Sequence, residues 1–134
     1  MKRNWDLLRW ILNEAESSPS GYPIIVTNGA EYGGSHYPLD IGERNFEEVY
    51  EHILLLGDSD LAKVRELGRT QAGPAGVAID RLTMAGHDFL DAARDESRWK
   101  KALTIVNEKG GGAITIGVLI QVLSVLMKQS FGLS

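Results

Sequence analysis

The sequence predicts an α+β fold, mostly α, in which a small antiparallel β wing sits among helices and two further helices close the chain. Two patterns carry this prediction. Apolar residues recur at helical spacing in five stretches, and three short strand-like runs stand between them, set off by glycine and proline. Helix, strand, helix, then two strands around a loop is the order of a winged helix. That domain is expected over residues 1–96, with residues 97–134 as a helical extension within one compact unit.

Lys2 to Glu16 reads as an amphipathic helix. Trp5, Leu8, Leu12 and Ala15 share one side, widened by Leu7 and Ile11, while Lys2, Asp6, Arg9, Asn13 and Glu16 mark the other. Ser17 to Gly21 stops it, because Pro19 disfavours helical geometry in the residue before it. Tyr22 to Thr27 predicts a strand. Asn28 to Gly42, rich in glycine, reads as a loop with a helical turn near Leu39 to Gly42. Asn45 is placed to cap a second helix, Phe46 to Leu56, with Phe46, Val49, Tyr50, Ile53 and Leu54 inward and Gly57 closing it. Leu61 to Gly68 and Val77 to Leu82 predict two strands, joined by a loop, Arg69 to Gly76, that is flexible by composition. Thr83 caps a third helix reaching about Glu96, with Phe89, Leu90 and Ala93 on its apolar side. Ser97 or Arg98 breaks the phase. A fourth helix follows, with Trp99, Ala102, Leu103 and Val106 on one face, and Gly110-Gly111-Gly112 ends it.

A chain of 134 residues can bury a core without staples, and 43% hydrophobic with 24% charged residues is an ordinary globular balance. The absence of cysteine excludes disulfides and thiolate chemistry. Met1 to Glu16 alternates charged and apolar residues without the apolar run of a secretory signal, so a cytoplasmic protein is expected. A net charge of −4 argues against a protein that coats nucleic acid, since phosphate neutralisation supplies most non-specific affinity. His36, His52 and His87 lack metal-ligand spacing. Asp88, Asp91 and Asp95 share a helix face, which reads as a solvated row partly neutralised by Arg94 and Arg98. The glycine clusters at 73–76 and 110–112 lack the Lys-Ser/Thr of a phosphate loop. No catalytic residue, metal or cofactor is therefore expected, and the protein reads as a non-enzyme.

Three stretches carry a family likeness: Met1-Lys2-Arg3-Asn4-Trp5-Asp6-Leu7-Leu8-Arg9, the run from Arg81 to Asp95, and Trp99-Lys100-Lys101-Ala102 with the later Lys109-Gly110-Gly111. The run Arg81-Leu82-Thr83-Met84-Ala85-Gly86-His87-Asp88-Phe89-Leu90 is the most specific. Together they resemble the bacterial and phage family called domain of unknown function 2513. The resemblance implies a winged-helix fold and a phage or prophage setting. It brings no activity and no catalytic residues. Leu56 to Leu61 departs from the pattern that leads into the wing in that family.

The resemblance and the element order point to a non-enzymatic phage or bacterial accessory protein that binds a macromolecule, first a winged-helix DNA-binding regulator and, as the alternative, a protein-binding module. In the first, a dimeric DNA-binding regulator grips phosphate through the wing residues Lys63, Arg65 and Arg69, which have few acids nearby in sequence. Asn45, Tyr50 and His52 are the second helix's other candidates. Against it stand Glu47, Glu48 and Glu51, which would face phosphate with carboxylates. In the second, those three glutamates meet a basic host or defence protein, an acidic surface taking the place of phosphate.

Ala113 to Met127 is apolar almost all round, with Gly117, Gln121, Ser124 and Lys128 forming one narrow polar stripe. It is too short and too interrupted for a membrane span, so no membrane association is expected. A helix buried inside one domain would also account for it. The expectation adopted is a homodimer interface through Ile116, Leu119, Ile120, Leu123, Leu126 and Met127.

Overall fold

Asn4 begins the first element: its side chain accepts a hydrogen bond from the Leu7 backbone N–H, and helix α1 runs Trp5–Ser17. In this computed structural model, residues 2–19, 22–29, 36–110 and 115–132 are described, with the backbone alone at 109 and 110. Strands β1 (Ile24–Thr27) and β2 (Tyr37–Pro38) follow, then α2 (Phe46–Asp58) and β3 (Ala62–Glu66). A tip of β4 (Arg69–Thr70) and β5 (Gly73–Pro74) leads into β6 (Gly76–Leu82). Helices α3 (Met84–Ala93), α4 (Glu96–Gly110) and α5 (Ile116–Ser130) complete the described chain. The architecture is α+β and mostly helical, as the residue patterns predict.

By contact density the chain divides into two compact units, Met1–His87 and Asp88–Ser134. In the first, a four-stranded sheet has the order β2-β1-β6-β3. β6 pairs antiparallel with both β1 and β3, while β1 and β2 run parallel. The central position of β6 explains why Val77, Ala78 and Ile79 are all buried. α1 and α2 supply the rest of the core through Leu7, Leu8, Ile11 and Leu12, and through Val49, Ile53 and Leu56.

His52 ties the two helices together. It is fully buried, and its Nε2 accepts the Asn4 backbone N–H at 2.9 Å. Its Nδ1 lies 2.7 Å from the Glu48 carbonyl, which can only accept, so Nδ1–H donates there while Nε2 accepts.

In the second unit, Phe89 meets Trp99 edge-on, with ring centroids 6.2 Å apart at 81°. Trp99, Ala102 and Val106 of α4 and Leu119 and Leu123 of α5 are buried.

Several local expectations change. β2 lies inside the stretch read as loop; residues 30–35 of that stretch fall outside the described residues. Two residues with one proline give no strand period, so β2 has no sequence signal. The segment from Arg69 to Gly76 is ordered as the paired tip β4–β5, where the Thr70 hydroxyl donates to the Gly73 carbonyl at 3.1 Å. Gly57 does not close α2. It lies within the helix, and Ser59 caps it. A Cβ at Gly57 would stand 3.1 Å from Val64 Cβ, so the glycine lets β3 approach the helix. α3 ends at Ala93, and the break precedes Ser97, because the Asp95 side chain caps α4 by accepting from the Arg98 N–H at 2.7 Å. Of the residues expected to terminate α4, Gly110 is its last and 111–112 lie outside the described residues.

The start of α3 is fixed by close packing. The Thr83 hydroxyl donates to the Asp60 carbonyl at 2.6 Å and accepts from the Gly86 N–H at 3.0 Å. A Cβ at Gly86 would fall 1.9 Å from the Leu61 carbonyl oxygen. Only glycine permits that approach.

Candidate functional site

Asn45 sets the first side of the site. Its side chain accepts from the Glu48 N–H at 3.0 Å and starts α2, so that Glu47 and Glu48 occupy the first helical turn. Carboxylates there complement the positive end of the helix dipole. The buried face of the helix takes Val49, Tyr50, Ile53 and Leu56, which leaves Glu47, Glu48 and Glu51 exposed on the other. Strand β3 brings Glu66 across from them, and the tip brings Arg69 and Pro74. These groups, with Leu54, line an open cleft of about 540 Å³.

Four carboxylates, Glu47, Glu48, Glu51 and Glu66, thus line one cleft with one cation, Arg69. Tyr50 closes its inner wall. The ring is buried, and the hydroxyl donates to Glu66 Oε1 at 2.6 Å. That hydrogen bond, with burial and the nearby negative charge, pushes the Tyr50 pKa up from 10.0 to about 12. The hydroxyl therefore stays protonated and holds Glu66 against α2. Beside the cleft, a smaller hollow of about 310 Å³ presents Asp58, Asp60 and Glu66 against Lys63 alone.

The wing cations stand differently from their sequence reading. Acids lie close to them. Lys63 is 3.5 Å from Asp60, and the Arg65 guanidinium reaches Asp80 at 3.0 and 3.4 Å. The strand pairing of β3 with β6 brings Arg65 and Asp80 together although they are 15 residues apart. Arg69 opens into the acidic cleft, so residues expected in two rival sites share one. Of the other α2 candidates, Tyr50 is buried as its inward spacing predicts, and His52 is buried as well, so neither faces outward as a contact. Glu66 had no role in the sequence reading. Its place opposite Glu51 depends on β3 packing against α2, which no spacing along the chain reveals.

The aspartate row of α3 is partly engaged. Asp91 pairs with Arg94 at 3.2 Å and Asp95 caps α4, while Arg98 donates to the Ala92 carbonyl. His87 lies 3.8 Å from Glu16. Among the described residues, no group of three or more His, Cys, Asp or Glu is placed to hold a metal ion.

On α5, Leu119 and Leu123 are buried inside the chain, so these two of the expected interface residues already have their neighbours. Ile116, Ile120, Leu126 and Met127 are half-buried. The exposed apolar residues are Val118 at 39% and Val125 at 54%, neither of which the sequence reading selected. Val125 borders a groove of about 470 Å³ between α4 and α5. Among the described residues, no helix is long and apolar enough to cross a membrane.

Comparison with known proteins gives two matches. A family model described as "Hypothetical protein (DUF2513)" matches residues 2–112. An "Uncharacterized protein" of Haemophilus influenzae is 29% identical over 109 residues, covering 81% of this chain and 81% of the relative. No solved structure matches the chain.

Proposed function

The chain belongs to the domain of unknown function 2513 family, and we propose that it is a non-enzymatic phage or bacterial accessory protein of the cytoplasm. Its acidic cleft binds an arginine- or lysine-rich segment of a protein partner. The observation that carries this reading is the set Glu47, Glu48, Glu51 and Glu66 opening on one cleft, with Leu54 and Pro74 offering apolar surface beside them. Opposed potentials speed encounter and set specificity, and a cleft that concentrates one sign of charge strengthens both effects. Apolar walls suit the aliphatic stems of lysine and arginine. The winged-helix reading of the first unit belongs to the same proposal, with α2 as the helix turned from phosphate toward a basic protein. So does homodimerisation through the second unit.

A labelled oligo-arginine peptide and a labelled random DNA duplex, titrated separately at low and high salt and followed by anisotropy, test the reading. Peptide binding that weakens with salt and disappears in Glu47→Lys/Glu51→Lys is the expected result. Duplex binding without peptide binding, lost on charge reversal of Lys63, Arg65 and Arg69, would establish the DNA-binding reading instead.

A further inference from the structure

The groove between α4 and α5 offers uncovered apolar surface: Ile105 on one side, and Val122, Val125 and Leu126 on the other, with Lys101 at its rim. We propose that a second copy of this chain packs antiparallel across this groove, about a two-fold axis passing between Lys101 and Glu108 on α4. The proposal rests on the homodimer reading and specifies its geometry.

The charge pattern selects the occupant. Lys101, Ile105 and Glu108 fall at i, i+4 and i+7, so one α4 face reads positive, apolar, negative. An antiparallel copy sets Lys101 against the partner's Glu108 at both ends and isoleucine near isoleucine between them. A parallel copy would set like charges together. An isologous interface requires this kind of self-complementarity.

α5 has the same symmetry. Val122 and Val125 fall at i and i+3, and reversing the helix about their midpoint brings valine onto valine there, while Val118 meets the uncharged Gln129 at each end. Lys128 is the one charged residue of α5, so little charge opposes the approach.

Both midpoints also fall along the same groove. The start of α4, from Asp95 to Lys101, shares a hollow with Leu126 to Ser130 of α5, so the helices run antiparallel. Ile105 lines that groove together with Gln121, Val122 and Val125. One axis therefore satisfies both helices.

The natural absence of cysteine makes a disulfide test clean. Positions 101 and 108 on one helix are about 10 Å apart, too far for an internal disulfide. Full-length Lys101→Cys/Glu108→Cys, oxidised under mild conditions, is expected to form a covalent dimer on a non-reducing gel, while Lys101→Cys alone is not. Light scattering supplies the control for assembly. A wild-type monomer at every concentration tested overturns the homodimer reading itself. A wild-type dimer whose double-cysteine variant stays unlinked, or in which Lys101→Cys alone links, overturns the antiparallel arrangement. Charge reversal gives a second readout that leaves the fold untouched. Lys101→Glu and Glu108→Lys should each weaken the dimer several-fold, and the double swap should restore it; a double swap as weak as either single variant counts against the pairing.

Discussion

Helices α2 and α5 differ by two residues in length, yet they manage their outward faces in opposite ways. α2 buries Val49, Tyr50, His52, Ile53 and Leu56 and gives water three glutamates. α5 buries Leu119 and Leu123 and gives water Val118 and Val125. A helix that exposes carboxylates needs nothing to cover it, so its charge is free to select a partner. A helix that exposes valines gains by being covered, since each buried methylene group contributes roughly 0.8 kcal/mol. The chain thus keeps its exposed carboxylate face in the first unit and its exposed valines in the second.

The largest test of this contrast is steric. Gly86→Ala should destabilise the first unit by about 3 kcal/mol in urea unfolding, because its Cβ would press on the Leu61 carbonyl at 1.9 Å and displace the start of α3. Ile53→Ala, on the buried face of α2, should cost about 3 kcal/mol by the cavity it leaves. Asn45→Ala removes the cap that accepts from Glu48 and should cost about 1 kcal/mol, read in the same way.

Alkaline pH reports on the cleft itself. The Tyr50 pKa is raised by folding, so its contribution is complete below pH 10 and is lost as pH rises toward about 12. With solvent screening at the exposed Glu66, that loss amounts to about 1 kcal/mol. Tyr50→Phe should abolish this part of the alkaline decline. The smallest effect belongs to α5. Val125→Ala at an exposed position should change protomer stability by less than about 0.5 kcal/mol, measured below the concentration at which dimers form. A loss as large as that of Ile53→Ala would erase the distinction between the two helices.

Much of the fold is legible in the residues because local rules decide it. Asn45 and Thr83 cap helices where their side chains are expected to, and the apolar spacing of Leu8, Leu12, Val49 and Ile53 marks faces that the core buries. Features that depend on tertiary approach are not legible in this way. His52 looks like a polar residue on an acidic helix, yet the Asn4 N–H and the Glu48 carbonyl satisfy both its ring nitrogens inside the core. Gly57 resembles a helix terminator and serves instead as the contact point for Val64. The three glutamates of α2 were identifiable by helical spacing. The cleft was not, because Glu66 and Arg69 reach it from a strand and a tip whose positions follow from sheet register. Arg65 read as a free phosphate ligand because Asp80 is distant along the chain and adjacent across the sheet.

The central claim, that the acidic cleft selects a basic partner, is tested most directly by calorimetric titration of an oligo-arginine peptide into the full-length protein. One peptide per protomer is expected, with an affinity that falls steeply between low and high salt and no heat of binding in Glu47→Lys/Glu51→Lys. An unchanged isotherm in that variant, or no binding by the wild type at low salt, would contradict it.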